Sequence, residues 1–244
     1  MSGPPAALLY LLMILLPVLA TAVALAAGGW LRRAYVFSSR LLLGALMLGG
    51  GLYKLSDNQI RGLMGPPMNH AFLAANGLEI FAQFIGVAQF TIGLLLLTGR
   101  FALLGAVMLV PMWVGIVMLT WSQHWTGTPY LTTGFLVLTI GLLLHDFDRL
   151  KWLVYPPAHP AVLRQERLRT GPVGLELLWW LGAAIMLVGS LLYPVSLEVM
   201  KGTMVAGLAV LLAAAGRLWW GSRKAGFTRG AAMRPAAAPL QTSE

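Results

Sequence analysis

The sequence predicts an all-α, polytopic transmembrane helical bundle of about seven spans, and three observations carry that expectation. Of 244 residues, 58% are hydrophobic and only 10% charged, against about 25% charged in a soluble domain. The apolar residues gather into seven long runs, and most Lys and Arg residues stand between the runs. A globular core has no use for so much apolar surface, whereas a bilayer buries it.

A hydrocarbon layer about 30 Å thick takes about 20 apolar residues per helix. The runs are Pro5–Gly28, Val36–Leu55, Leu78–Leu97, Phe101–Thr120, Leu131–Leu144, Val173–Tyr193 and Val199–Trp220. The fifth is short unless its helix continues through His145 to Asp148. Gly, Pro and charged clusters separate the runs, as befits spans rather than one long helix. Pro111, inside the fourth, is expected to kink it.

The positive-inside rule orients the chain. With the N-terminus outside, the inner segments carry Arg32, Arg33 and Arg40, then Arg100. The next inner segment holds Arg149, Lys151, Arg164, Arg167 and Arg169, and the last holds Arg217, Arg223, Lys224, Arg229 and Arg234. Only Lys54, Arg61 and Lys201 fall outside. The expected topology is therefore N-terminus out and C-terminus cytoplasmic, in an inner membrane of bacterial type. Ala24-Leu25-Ala26 looks like a signal-peptide cleavage site, but no Lys or Arg precedes this run and Arg32 and Arg33 follow it. The first span is therefore expected to stay attached.

A net charge of +9 and a pI near 10.5 invite a nucleic-acid reading. No basic stripe interleaved with aromatics accompanies that charge, so no nucleic-acid partner is expected, only the lipid bilayer. The absence of cysteine excludes disulfides, thiolate metal sites and Cys-ligated iron–sulfur clusters. Redox chemistry here would need a bound quinone, flavin or haem.

The expected organisation is an N-terminal helix with a basic link (1–34), a four-helix core (35–155), a cytoplasmic loop (156–172), a transmembrane hairpin (173–220) and a basic, disordered tail (221–244). The first span is expected to stand slightly apart. Ser56–Gly77 is too polar and too interrupted by Pro66-Pro67 to span, and is expected to form a short interfacial helix or lid.

Within the core, Arg40-Leu-Leu-Leu-Gly44 is followed by Gly51-Leu-Tyr-Lys54-Leu55, by Gly93-Leu-Leu-Leu-Leu-Thr-Gly99-Arg100 and by Leu104-Gly105-Ala106. In order and spacing this resembles the DoxX-like family of small four-helix membrane proteins, over about Arg40–Leu150. The resemblance implies a four-helix core extended here by one helix before it and a hairpin after it. Relatives include a subunit of a thiosulfate:quinone oxidoreductase and proteins of oxidative-stress complexes. At one place where the family commonly shows Glu, this chain has Gln89, an amide that exchanges no proton at physiological pH.

An ionisable group at bilayer depth needs a reason, at about 2.5–3.5 kcal/mol on insertion scales. At 100° per residue Arg40, Gly44, Met47, Gly51 and Lys54 share one thin face suited to close helix contact. Arg40 and Lys54 then either snorkel to opposite interfaces, or Lys54 forms a buried ion pair with Glu79 at the outer ends of adjacent spans. Glu79, Gln83, Gly86, Phe90 and Gly93 share a face of the third span, with Gln89 at its edge. That polar stripe serves either interhelical hydrogen bonding or a small outward-opening cavity.

His124, among Trp121, Trp125 and Tyr130, reads first as part of an interfacial aromatic belt, with a quinone headgroup beside it as the sharper alternative. His145, Asp146 and Asp148 read as a polar span end rather than a cation site, and no metal site is expected. The methionines read as core filling.

The ligand or cavity candidates are thus Lys54, Glu79, Gln83, Gln89 and His124. No catalytic motif is present. The leading expectation is an accessory or quinone-interacting component of a membrane electron-transfer or oxidative-stress system, partnered by a soluble or membrane oxidoreductase. A small-molecule permease and a non-catalytic scaffold are the alternatives.

Overall fold

In the computed structural model, backbone is described for residues 4–60, 70–151 and 173–232, and side chains for most of these. The described residues are helical, with short turns and no strand. The helices are α1 (Pro4–Ala27), α2 (Gly29–Leu55), α3 (His70–Ala75), α4 (Glu79–Thr98), α5 (Ala102–Ser122), α6 (Thr128–His145), α7 (Phe147–Leu150), α8 (Val173–Ser190) and α9 (Leu197–Ala232).

Six of them, α1, α2, α4, α5, α6 and α9, are long and apolar enough to cross a membrane. The seventh expected span, α8, is an apolar helix of 18 residues, as long as α6, and rises about 27 Å. The boundaries differ from expectation in three places. α2 begins at Gly29 and absorbs the expected basic link. α6 gains a turn at its start, because Pro129 stands in the first turn, where its missing N–H costs nothing. α9 stays helical to Ala232, past the expected end at Trp220 and into the stretch expected to be disordered. α5 runs unbroken through Pro111. α3 is the described helix of the expected interfacial segment, and none of its residues is buried. Residues 61–69 and 152–172 lie outside the described residues, and with them Arg61 and His159.

α2, α4, α5 and α6 close around one core of Leu43, Leu46, Met47, Ile92, Leu96, Leu109, Trp113, Phe135 and Leu142. Lipid tails are as apolar as leucine, so helix pairing here rests on close backbone approach and hydrogen bonds rather than on expulsion of water. The α2–α4 seam shows this directly. A Cβ built on Gly51 would lie 2.5 Å from the Phe90 nitrogen, and one on Gly93 would lie 2.4 Å from the Leu48 nitrogen. Gly44 and Gly86 flank them against Leu97 and against Leu55 and Lys54. The thin face expected on α2 is therefore the antiparallel contact with α4. Met108 and Met112 pack against the same core.

α1 does not stand apart. Gly28 and Gly29, both at positive φ, turn the chain sharply, and α1 lies along α6. Tyr10 stacks on Tyr130 at 4.9 Å, and Gly134 admits the Met13 carbonyl where any Cβ would collide. Thr21 donates to the Tyr35 hydroxyl (2.8 Å), which donates to the Leu138 carbonyl (3.3 Å). One face of α1 is docked this way while most of it is left exposed to lipid.

The α8–α9 hairpin attaches to the opposite side of the core. Trp179, Ala183 and Met186 of α8 and Leu211 and Ala214 of α9 pack with Phe90, Leu94 and Leu95 of α4. A part-buried ion pair between Arg100 and Glu176 fastens the same side, and the Arg100 guanidinium stands 5.7 Å from the centre of the Trp179 ring.

Candidate functional site

The expected site residues divide sharply. Gly51 and Gly86 bring α2 and α4 so close that Lys54 lies level with Gly86 and Gln89. The Lys54 ammonium donates to Gln89 Oε1 at 3.0 Å, and Gln89 is only 5% exposed. The expected Lys54–Glu79 ion pair does not form. Glu79 opens α4, seven residues or about 10 Å along the axis beyond Gly86. It is exposed there, with no ion-pair partner among the described residues. The helix offset set by the glycine seam, rather than loop connectivity, chooses the partner of Lys54.

Gln83 is likewise exposed, so the polar stripe of α4 splits into a buried amide at Gln89 and two exposed residues near the helix start. His124 is exposed, at a φ of 53° in the turn after α5. Beside it Trp125 donates to Gln123. The aromatics gather beside it: Trp121 lies 5.3 Å from Tyr130, which carries Tyr10 on its other contact. His70 and Asp57 form an exposed pair at the same end of α2 as Lys54.

The opposite end of the core holds pairings and a pocket that sequence reasoning did not single out. Arg40 does not merely snorkel, since its guanidinium reaches Asp146 at 3.2 Å. Asp146 also faces Arg149 at 3.9 Å. Asp148 is taken by Lys151 at 2.7 Å, whose hydrogen bond holds that carboxyl below its usual range. Both carboxylates of the expected polar span end are thus occupied by cations of the chain. Arg33, Val36, Phe37, Arg40 and Leu41 of α2 line a pocket of about 400 Å³ there, together with Leu96, Leu97, Gly99 and His145. The signals in the sequence were the crowding of Arg32, Arg33 and Arg40, which oriented the chain, and the polar span end at His145 and Asp146; nothing in it joined the two.

Residues 35–125 match the family model described as DoxX. The match runs from early α2 to the turn after α5, so it takes in the glycine seam, Lys54 and Gln89 and stops before α6. No curated protein and no solved structure matches the chain. With a stretch similar to DoxX at its centre and apolar helices of membrane-crossing length on both sides of it, this chain is a multi-pass integral membrane protein that carries a DoxX-like region.

Proposed function

We propose that the chain is a quinone-interacting accessory component of a membrane electron-transfer or oxidative-stress system, with the quinone headgroup at the Lys54–Gln89 pair. The observation that carries this reading is an ammonium held at a helix end by a buried neutral amide. Lys54 has three N–H donors and Gln89 takes one. No carboxylate among the described residues neutralises Lys54. A carbonyl oxygen of a neutral, lipid-soluble ring that arrives through the bilayer can accept one of the remaining N–H donors. With no cysteine to hold an iron–sulfur cluster, electrons reach the ring from a partner oxidoreductase, and this chain binds and orients it.

A permease reading is less well supported. Leu43, Leu109, Trp113 and Leu142 fill the space between α2, α4, α5 and α6, where a transported solute would need to pass.

Binding of a short-chain benzoquinone to the purified protein, followed by quenching of its tryptophans, tests the reading. Lys54→Met should weaken binding by about 10- to 100-fold, the equivalent of one hydrogen bond to a charged group. Gln89→Glu, which gives the ammonium a countercharge, should weaken it too. Unchanged affinity in both variants would sink the proposal.

The orientation belongs to the same reading. With Lys54 at the outer face of an inner membrane, a reporter after Glu244 should behave as cytoplasmic and one inserted near Gly127 as external. An external C-terminal reporter would refute an odd number of spans with the N-terminus out.

A further inference from the structure

The pocket at the Arg40 end has two kinds of wall. Arg33, Arg40 and His145 supply the polar one, and Val36, Phe37, Leu41, Leu96 and Leu97 the apolar one. Phe37 is 70% and Leu41 51% exposed, so the apolar wall continues outward onto the lipid-facing surface of α2. The cations are not equivalent. Arg40 is fixed by Asp146. Arg33 is exposed and has no acidic partner among the described residues. The Nδ1 of His145 is buried and meets no hydrogen-bond partner. A buried polar atom left so is costly and calls for a partner.

We propose that this pocket is a binding site for an anionic phospholipid. Its phosphate sits between Arg33, Arg40 and His145, and one acyl chain lies along Phe37 and Leu41. Three features of the chemistry select this occupant. A phosphodiester presents oxygens that accept from a guanidinium fork, and the guanidinium of Arg33 meets no carboxylate among the described residues. The acyl chain covers an apolar wall that runs continuously from the pocket into the bilayer. Basic pockets between helix ends at the positively charged face of a membrane protein are where acidic headgroups gather. Arg33, Arg40, Arg149 and Lys151 all stand near this end. The site shares no residue with Lys54 and Gln89, so it stands or falls separately from the quinone reading.

Native mass spectrometry of the full chain, delipidated and then offered chain-matched phosphatidylglycerol or phosphatidylcholine, tests the site. The expected result is retention of phosphatidylglycerol about tenfold above phosphatidylcholine. Arg33→Gln should remove most of that preference, by about tenfold for one lost charge-assisted contact. Arg33 is exposed, and retained helicity with an unchanged melting temperature would show the variant folded. His145→Leu provides a second, independent loss. Lys201→Gln, an equal change of charge at the other end of α9's hairpin, should leave the preference intact. Equal retention of the two lipids would overturn the proposal, as would an equal loss with Lys201→Gln, which would mean a general charge effect. Displacement of the lipid by millimolar inorganic phosphate would also overturn it, because the site would then hold a free anion and not a lipid.

Discussion

Gly93→Ala is expected to be among the most damaging single changes in the chain, at more than about 3 kcal/mol of stability. The new Cβ would lie 2.4 Å from the Leu48 nitrogen and 2.7 Å from the Gly44 carbonyl. Both are backbone atoms, so no rotamer change relieves the collision, and α2 and α4 must part along their seam. Gly51→Ala should act alike, since its Cβ would meet the Phe90 nitrogen at 2.5 Å and the Gly86 carbonyl at 2.7 Å. Parting the helices also pulls Gln89 from Lys54, so quinone binding should fall with stability in these variants. Gly115→Ala on α5 is the control: nothing lies within 4 Å of its Cβ, and alanine is the better helix former by about 1 kcal/mol. Melting of the detergent-solubilised protein checks all three. A Gly93→Ala protein that melts with the unchanged chain would mean that the seam is looser than described.

The second large effect is expected at the joint between core and hairpin. Arg100 and Glu176 are 17% and 23% exposed, enough burial for an unpaired charge to be expensive. Arg100→Gln leaves the carboxylate of Glu176 without its cation and removes the guanidinium from beside Trp179 and Phe101. The expected loss is about 3 kcal/mol, the lower end of the range for a broken buried pair. Adding Glu176→Gln should recover most of it, because an uncompensated charge, rather than a lost attraction, is the dominant cost. Hydrogen exchange should localise the damage. In the single variant α8 and the α9 stretch around Leu211 should lose protection, while α5 and α6 keep theirs. Simple additivity of the two changes would show that the residues do not interact.

The membrane character and the number of apolar segments are legible in the composition of local windows, because transfer from water to lipid sums over single residues. The close-contact face of α2 is legible as well. Gly44 and Gly51 fall on one side of any α-helix, and small residues on one side of a membrane helix mean a neighbouring helix. The order of Arg40, Gly44, Lys54, Gly93 and Arg100 was enough to mark the stretch that is similar to DoxX.

Which side chain meets which belongs to the tertiary structure. Lys54 had Glu79 and Gln89 to choose from on the same neighbouring helix. The choice depends on an axial offset of α4 that only the interlocking of Gly51, Gly86 and Gly93 sets. Arg40 and Asp146 are 106 positions apart, and nothing local to either announces the other. The docking of α1 on α6 depends on whether the Gly134 notch meets the Met13 carbonyl, a coincidence of rotation and depth. In water, burial of an apolar stripe would have narrowed these pairings. In lipid every apolar face is already satisfied, so backbone proximity and a few hydrogen bonds decide them, and those exist only once the helices have met.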